Sequence, residues 1–274
     1  MSLLSDSTLH SWFSNLSGDE QSLLRAGLKL HGGGPHQSKT MMLGDLATVL
    51  AAQMERKPVE AIVGENLLGK PSAPAREVAA DRLAKLYGLG DAPPPISLAL
   101  FSLWRRDLPG RPLLALLCAL ARDPTFRDGA DPVLDAAPGA QVRSPAFAAA
   151  YEARHPGRFG PKMTASLARN AASSWTQAGY LSGAVRKTRV RVKPTPTTAA
   201  YAALLARLCG FGGARLLGSR WLDVLDCPTE ERLGLLRQAE GLGLARVRSA
   251  GDVLEIEVRR PMADALGVPE LVSG

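Results

Sequence analysis

The chain has 274 residues, 46% hydrophobic and only 5% aromatic, with a formal charge of +7. That length and hydrophobicity exclude a disordered chain, and an Ala- and Leu-rich, aromatic-poor composition favours helix over sheet. Three scattered cysteines, Cys118, Cys209 and Cys227, form no CxxC pair, which argues against a disulfide framework or zinc site and fits a reducing cytoplasm.

The opening MSLLSDSTLHSWF shows no basic stretch leading into an apolar one, so no signal peptide is read there. The motif His31-Gly32-Gly33-Gly34-Pro35-His36 has two histidines but no third ligand nearby, and reads as a flexible loop. Apolar residues at helical spacing predict a helix over 43–55, with Pro58 beyond its end, and another over 76–86, stopped by Gly88. Between them, Gly64-Glu65-Asn66-Leu67-Leu68-Gly69-Lys70 matches a phosphate-cradle pattern. Pro71, however, stands where such a loop needs a hydroxyl for magnesium, and it removes a backbone N–H. Two short apolar helices follow, over 96–104 and 113–122. The run PLLALLCALA within the second is half the length of a membrane span and predicts a buried core helix. Asp107, Asp123 and Asp128 lie close in sequence to Arg105, Arg106, Arg111, Arg122 and Arg127, and are expected to pair with them. Residues 128–142, with two prolines and two glycines, read as a loop and a domain boundary.

Beyond that loop the pattern changes. Ser144 is expected to cap a helix through Arg154, with Pro145 in its first turn. A turn at His155-Pro156-Gly157 and the pair Gly160-Pro161 then open a helix over 162–178. Residues 180–193, rich in β-branched side chains and interrupted by Ser182-Gly183, predict a short hairpin. A similar order follows: a helix over 197–209, a short one over 216–225, a third from Thr229 to about Gly241, and a hairpin over 244–260 around Ser249-Ala250-Gly251-Asp252. The Asp and Glu residues of that hairpin lack the downstream lysine of a nuclease core, and no catalytic motif is present in a credible context. The fold class expected is mainly α, with a helical N-terminal domain and two winged-helix-like units bearing β-hairpin wings. The corresponding domains are 1–140, 141–194 and 195–262, with 263–274 a C-terminal tail.

Charge is segregated along the chain. Between Glu152 and Asp223 there is no acid, while twelve basic residues make that stretch +12 and leave the remainder at −5. On a helical wheel, Met163, Leu167, Ala171, Ser174, Trp175 and Ala178 share one face and are expected to be buried. The opposite face carries Lys162, Ser166, Arg169, Ser173 and Thr176, with Asn170 and Gln177 at its edges. Such donors, without a carboxylate among them, suit contact with a DNA groove: arginine for guanine, Asn or Gln for adenine, hydroxyls for phosphate. In the hairpin, strand alternation puts Lys187, Arg189, Arg191 and Lys193 on one face at about 7 Å intervals, near the phosphate spacing along a DNA strand, with Arg186 beside them. These eleven residues, Thr176 aside, form the candidate site for double-stranded DNA. No catalytic residue, metal or cofactor is expected.

The segments LLALLCALARDPTFR and MTASLARNAASSWTQAGYLSGAVRKTRVRVKP, followed by a further helical unit, resemble the BrxA-like accessory proteins of bacterial BREX phage-defence systems, over roughly 98–258. The resemblance implies a small helical protein that binds DNA, lacks the catalytic role, and works beside other subunits of a defence or modification complex. The Ala/Leu-rich first 140 residues leave an alternative open, a protein–protein adaptor that docks an acidic partner.

Overall fold

The computed structural model describes residues 12–14, 20–251 and 253–272. Over these the chain is mainly helical, and its strands make two small antiparallel hairpins. Many helices carry a proline in the first turn, but Ser144 is the first residue of its helix rather than its cap, which is Arg143. Helix α1 is Glu20–Ala26 and α2 is Leu43–Ala51, shorter than expected because Gln53 turns into a left-handed conformation at φ 55°. Helix α3, Ala73–Tyr87, starts before Arg76: Ser72 caps it by accepting the Ala75 N–H, and Pro74 is tolerated in the first turn. Gly88, at φ 64°, closes it.

Two helices form the centre. In α5, Arg111–Arg122, every residue from Leu113 onward is buried; it packs against α3, against α4, Pro95–Arg106, and against the later helices. In α10, Pro196–Leu208, every residue from Thr197 to Ala206 is buried. Helices apolar all round belong inside a protein, and these two lie against each other. The core is therefore continuous across residues 140 and 195. No helix among the described residues is long and apolar enough to cross a membrane.

The segment expected to be a loop, 128–142, contains more structure than that. After the short helices α6, Pro124–Asp128, and α7, Asp131–Leu134, the chain runs beside a strand of the first hairpin. That hairpin is β1, Leu181–Ser182, paired with β2, Thr188–Arg189. On the free edge of β2, Gly139 and Val142 donate to the carbonyls of Arg189 and Lys187, and Arg189 donates to Ala140. Residues 139–142 thus bridge the free edge of β2 at Gln141 without forming a strand of their own. Between that bridge and β1 lie α8, Ser144–Arg154, and α9, Pro161–Gln177, packed along each other.

The expected single helix over 216–225 is two short ones, α11, Ala214–Leu217, and α12, Arg220–Asp223. Gly218-Ser219 separates them, and the Ser219 hydroxyl donates to the Leu216 carbonyl at 2.8 Å. Helix α13, Thr229–Gly241, and the hairpin β3, Arg246–Ala250, with β4, Val253–Glu257, follow the expected order. Arg259 and Arg260 belong to a further helix, α14, Arg259–Leu266, rather than to the hairpin. Residues 263–272 are likewise no free tail. Met262, Ala263, Val268 and Leu271 are buried, and the Arg106 guanidinium donates to the Ala265 carbonyl at 2.8 Å.

Candidate nucleic-acid interface

Helix α9 buries Leu167, Ala171, Ser174, Trp175 and Ala178. Met163 departs from the expected pattern at 39% exposed, because the first turn of the helix is exposed as a whole. On the outer side Lys162 and Arg169 are exposed, and Ser166 and Ser173 are half-buried. Asn170 and Gln177 are not free to read bases. The Asn170 amide donates to the His36 carbonyl at 2.9 Å, and the Gln177 side-chain oxygen accepts the Leu43 N–H at 3.0 Å. Both hold the N-terminal segment against α9.

The hairpin departs further from expectation. Its pairing ends at Arg189, so alternation does not carry through 187–193. Arg189 is 2% exposed and points inward. Its guanidinium donates to Asp226 at 2.6 Å and to the Val133 carbonyl at 3.0 Å, and it lies 4.5 Å over the Tyr180 ring. Burial raises the Tyr180 hydroxyl pKa well above its ordinary value, with the Asp226 charge adding to it and Arg189 opposing. Asp226 also accepts the Val192 N–H at 3.1 Å. Arg189 is a structural cation, not a phosphate contact. Arg186, Arg191 and Lys193 remain exposed, and Lys187 is half-buried with its ammonium on the Gly183 carbonyl at 2.7 Å.

The acid-free stretch is not acid-free in space. Arg154 pairs with Asp131 at 2.6 Å, and Arg220 with Asp131, Asp135 and Asp223. With Arg189, these three cations turn inward to carboxylates outside the stretch. Among the described residues, Lys162, Arg169, Arg186, Lys187, Arg191 and Lys193 pair with none. Three of them border two adjoining depressions. One, of about 240 Å³, is lined by Arg143, Arg186 and Lys187 beside the first residues of α8 and Ala172 of α9. The other, of about 750 Å³, runs between α8 and α9 over Ala148, Ala149, Ala165 and Ala168, with Arg169 and Glu152 on it. Both include Ser144 and Pro145, so they form one groove.

A second constellation was not legible in the sequence. His36 Nδ1 lies 2.8 Å from an Asp123 carboxylate oxygen, and Nε2 lies 2.9 Å from the Ser174 hydroxyl. The spacing is that of a serine–histidine–aspartate triad, but all three side chains have 0% exposure. The Ser174 oxygen also accepts the Met41 N–H at 2.9 Å and lies 2.8 Å from the Asn170 carbonyl, so it has no room for a substrate. The His36 ring stacks on Phe126 at 3.8 Å. A side chain on Gly34 would overlap the Asp123 carboxylate, at 1.7 Å. The glycine run expected to be a flexible loop therefore closes a buried clasp. Burial raises the Asp123 carboxyl pKa, but the hydrogen bonds and charge of His36 outweigh this and leave it lowered.

The other acids expected to pair with neighbouring arginines also have distant partners. Asp107 accepts from Thr195 and Gly110, and Asp128 bonds His155 at 2.7 Å. Arg122 and Arg127 donate to backbone carbonyls instead. The Gly64–Lys70 motif follows a π-helical turn over Glu60–Gly64 and runs as bends and turns, and its lysine is bound to Asp45 at 2.9 Å. The three cysteines are buried and free, and burial raises Cys118 and Cys227 to about 11 and Cys209 to about 12. Among the described residues no three His, Cys, Asp or Glu side chains could hold a metal ion. No protein-family model matches the chain, and no curated protein sequence matches it significantly.

Proposed function

We propose that the protein is a non-catalytic accessory factor that binds double-stranded DNA through α9 and the β1–β2 wing. The observation that carries this reading is the groove where Arg169, Arg186 and Lys187, joined by Arg143, stand without carboxylate partners. The order of elements supports it. A bridge of Gln141 to β2, two packed helices and a hairpin follow the order of a winged helix. Helices α10 to α13 with β3–β4 make a second, similar unit. Its last helix, α13, carries Glu230, Glu231 and Glu240 against Arg232 and Arg237, so DNA contact belongs to the first unit. The segments that resemble BrxA-like proteins support a role beside other subunits of a cytoplasmic phage-defence or DNA-modification system.

Duplex binding followed by fluorescence anisotropy tests the proposal. Replacing Arg169, Arg186 and Lys187 by glutamate should weaken binding more than tenfold, with the thermal midpoint retained. With six cations meeting phosphates, the affinity of the unaltered protein should fall with salt at a log–log slope of roughly −5. Unchanged affinity in the triple variant overturns the proposal. Arg189 is unsuitable for this test, because its guanidinium is buried against Asp226 and its replacement would destabilise the fold.

The apolar alanine floor between α8 and α9 favours a second reading, a docking groove for an acidic partner helix. Salt-insensitive or absent DNA binding, with a partner captured on that groove, would favour it.

A further inference from the structure

The ends of α1 and α10, the start of α4 and the closing turn Pro269–Leu271 meet around a half-enclosed cavity of about 350 Å³. Its floor is apolar, made by Leu23, Ala26, Pro95, Leu208 and Leu271. Around it stand three guanidinium groups, Arg25, Arg207 and Arg259, and one carboxylate, Glu270. The volume falls at the small end of ligand sites, and an apolar floor with a few convergent polar groups is their usual chemistry. No residue of α8, α9 or the wing lines it, so it is separate from the DNA-binding proposal.

We propose that this cavity binds a small monocarboxylate with an apolar body. Arg25 reaches the Ser22 hydroxyl at 2.8 Å and Arg207 the Phe211 carbonyl at 3.5 Å, and among the described residues neither pairs with a carboxylate. Each stands in the last turn of its helix, where a cation suits the helix dipole. That accounts for each arginine singly, but not for the convergence of both on one apolar cavity. A guanidinium fork matches a carboxylate in two parallel hydrogen bonds. The apolar floor offers no hydrogen bonds to the remaining oxygens of a phosphate, so a carboxylate with a hydrocarbon body fits the cavity better. The floor rewards a hydrocarbon body of several carbons, which acetate lacks.

Calorimetric titration of the full chain with hexanoate, acetate and inorganic phosphate tests this. Hexanoate should bind and raise the thermal midpoint, with acetate and phosphate at least tenfold weaker. Replacing Arg25 and Arg207 together by Gln should lower hexanoate affinity about tenfold or more, as expected for losing charge-assisted hydrogen bonds. Leu208→Trp fills the floor while leaving the guanidinium groups in place, and should abolish binding by itself. No hexanoate binding, equal binding of phosphate, or binding retained in Leu208→Trp would overturn the proposal. None of these outcomes bears on DNA affinity, so the two proposals fail separately.

Discussion

Arg189 shows how a charged residue can be read correctly as important and wrongly as exposed. It sits in a run of four alternating cations, yet only its guanidinium is taken inward, where Asp226, the Val133 carbonyl and the Tyr180 ring receive it. Asp226 holds a left-handed backbone at φ 55° to meet it. Removing one partner of a buried ion pair leaves an uncompensated charge, so Arg189→Ala should cost about 3–5 kcal/mol in urea unfolding. A loss below 1 kcal/mol would show that water replaces the guanidinium. Asp123 makes the complementary case in its clasp with His36 and Ser174 of α9. Its carboxyl pKa is lowered in the folded state, so the stabilisation is full above the ordinary carboxylate value of about 3.9 and is lost as the pH falls through the lower folded value. Asp123→Asn should therefore be less stable than the unaltered protein at neutral pH, and its stability should vary less on the acid side. Parallel acid limbs for the two proteins would assign that dependence to other groups.

At the scale of elements, helical periodicity with proline and glycine punctuation located most helices within a few residues. The central helices α5 and α10 were visible as apolar runs because burial all round leaves no polar face to interrupt them. Pro138 and Gly139 form the turn they signal, but the bridge from Gln141 to β2 was not visible, because an isolated bridge is defined by its partner's edge rather than by its own alternation. The wing depends on one glycine. Gly183 lies at φ 98°, and a side chain there would come within 2.2 Å of the Arg186 carbonyl. Gly183→Ala should cost roughly 1–3 kcal/mol, since both the backbone region and the close approach are lost. It should also weaken DNA binding by displacing Arg186 and Lys187. Full DNA affinity in a folded Gly183→Ala protein would remove the wing from the contact surface.

For the whole molecule, the boundaries expected at 140 and 195 cross a single core, in which α5 lies against α9 and α10. Long-range clasps reinforce it. Ser174 and Asn170 reach back to Met41 and His36, Thr195 to Asp107, and the Trp221 indole donates to the Trp12 carbonyl at 2.8 Å. Calorimetric unfolding should accordingly give one cooperative transition whose calorimetric and van't Hoff enthalpies agree. Two resolved transitions would support the division into domains.

The sequence by itself determined the helical class, the order of helices and hairpins, the buried central runs and the segregation of positive charge. Each of these follows from local spacing or composition. Tertiary structure alone decided which cations stay outside. Arg154, Arg189 and Arg220 find carboxylates remote in sequence, while Asn170 and Gln177 are drawn into the N-terminal segment. It also turned a histidine–glycine loop into a buried clasp with Asp123 and Ser174. Ion pairs and hydrogen bonds between residues far apart in the chain leave no periodic signature. A polar side chain looks the same in sequence whether its partner is water or a buried carboxylate.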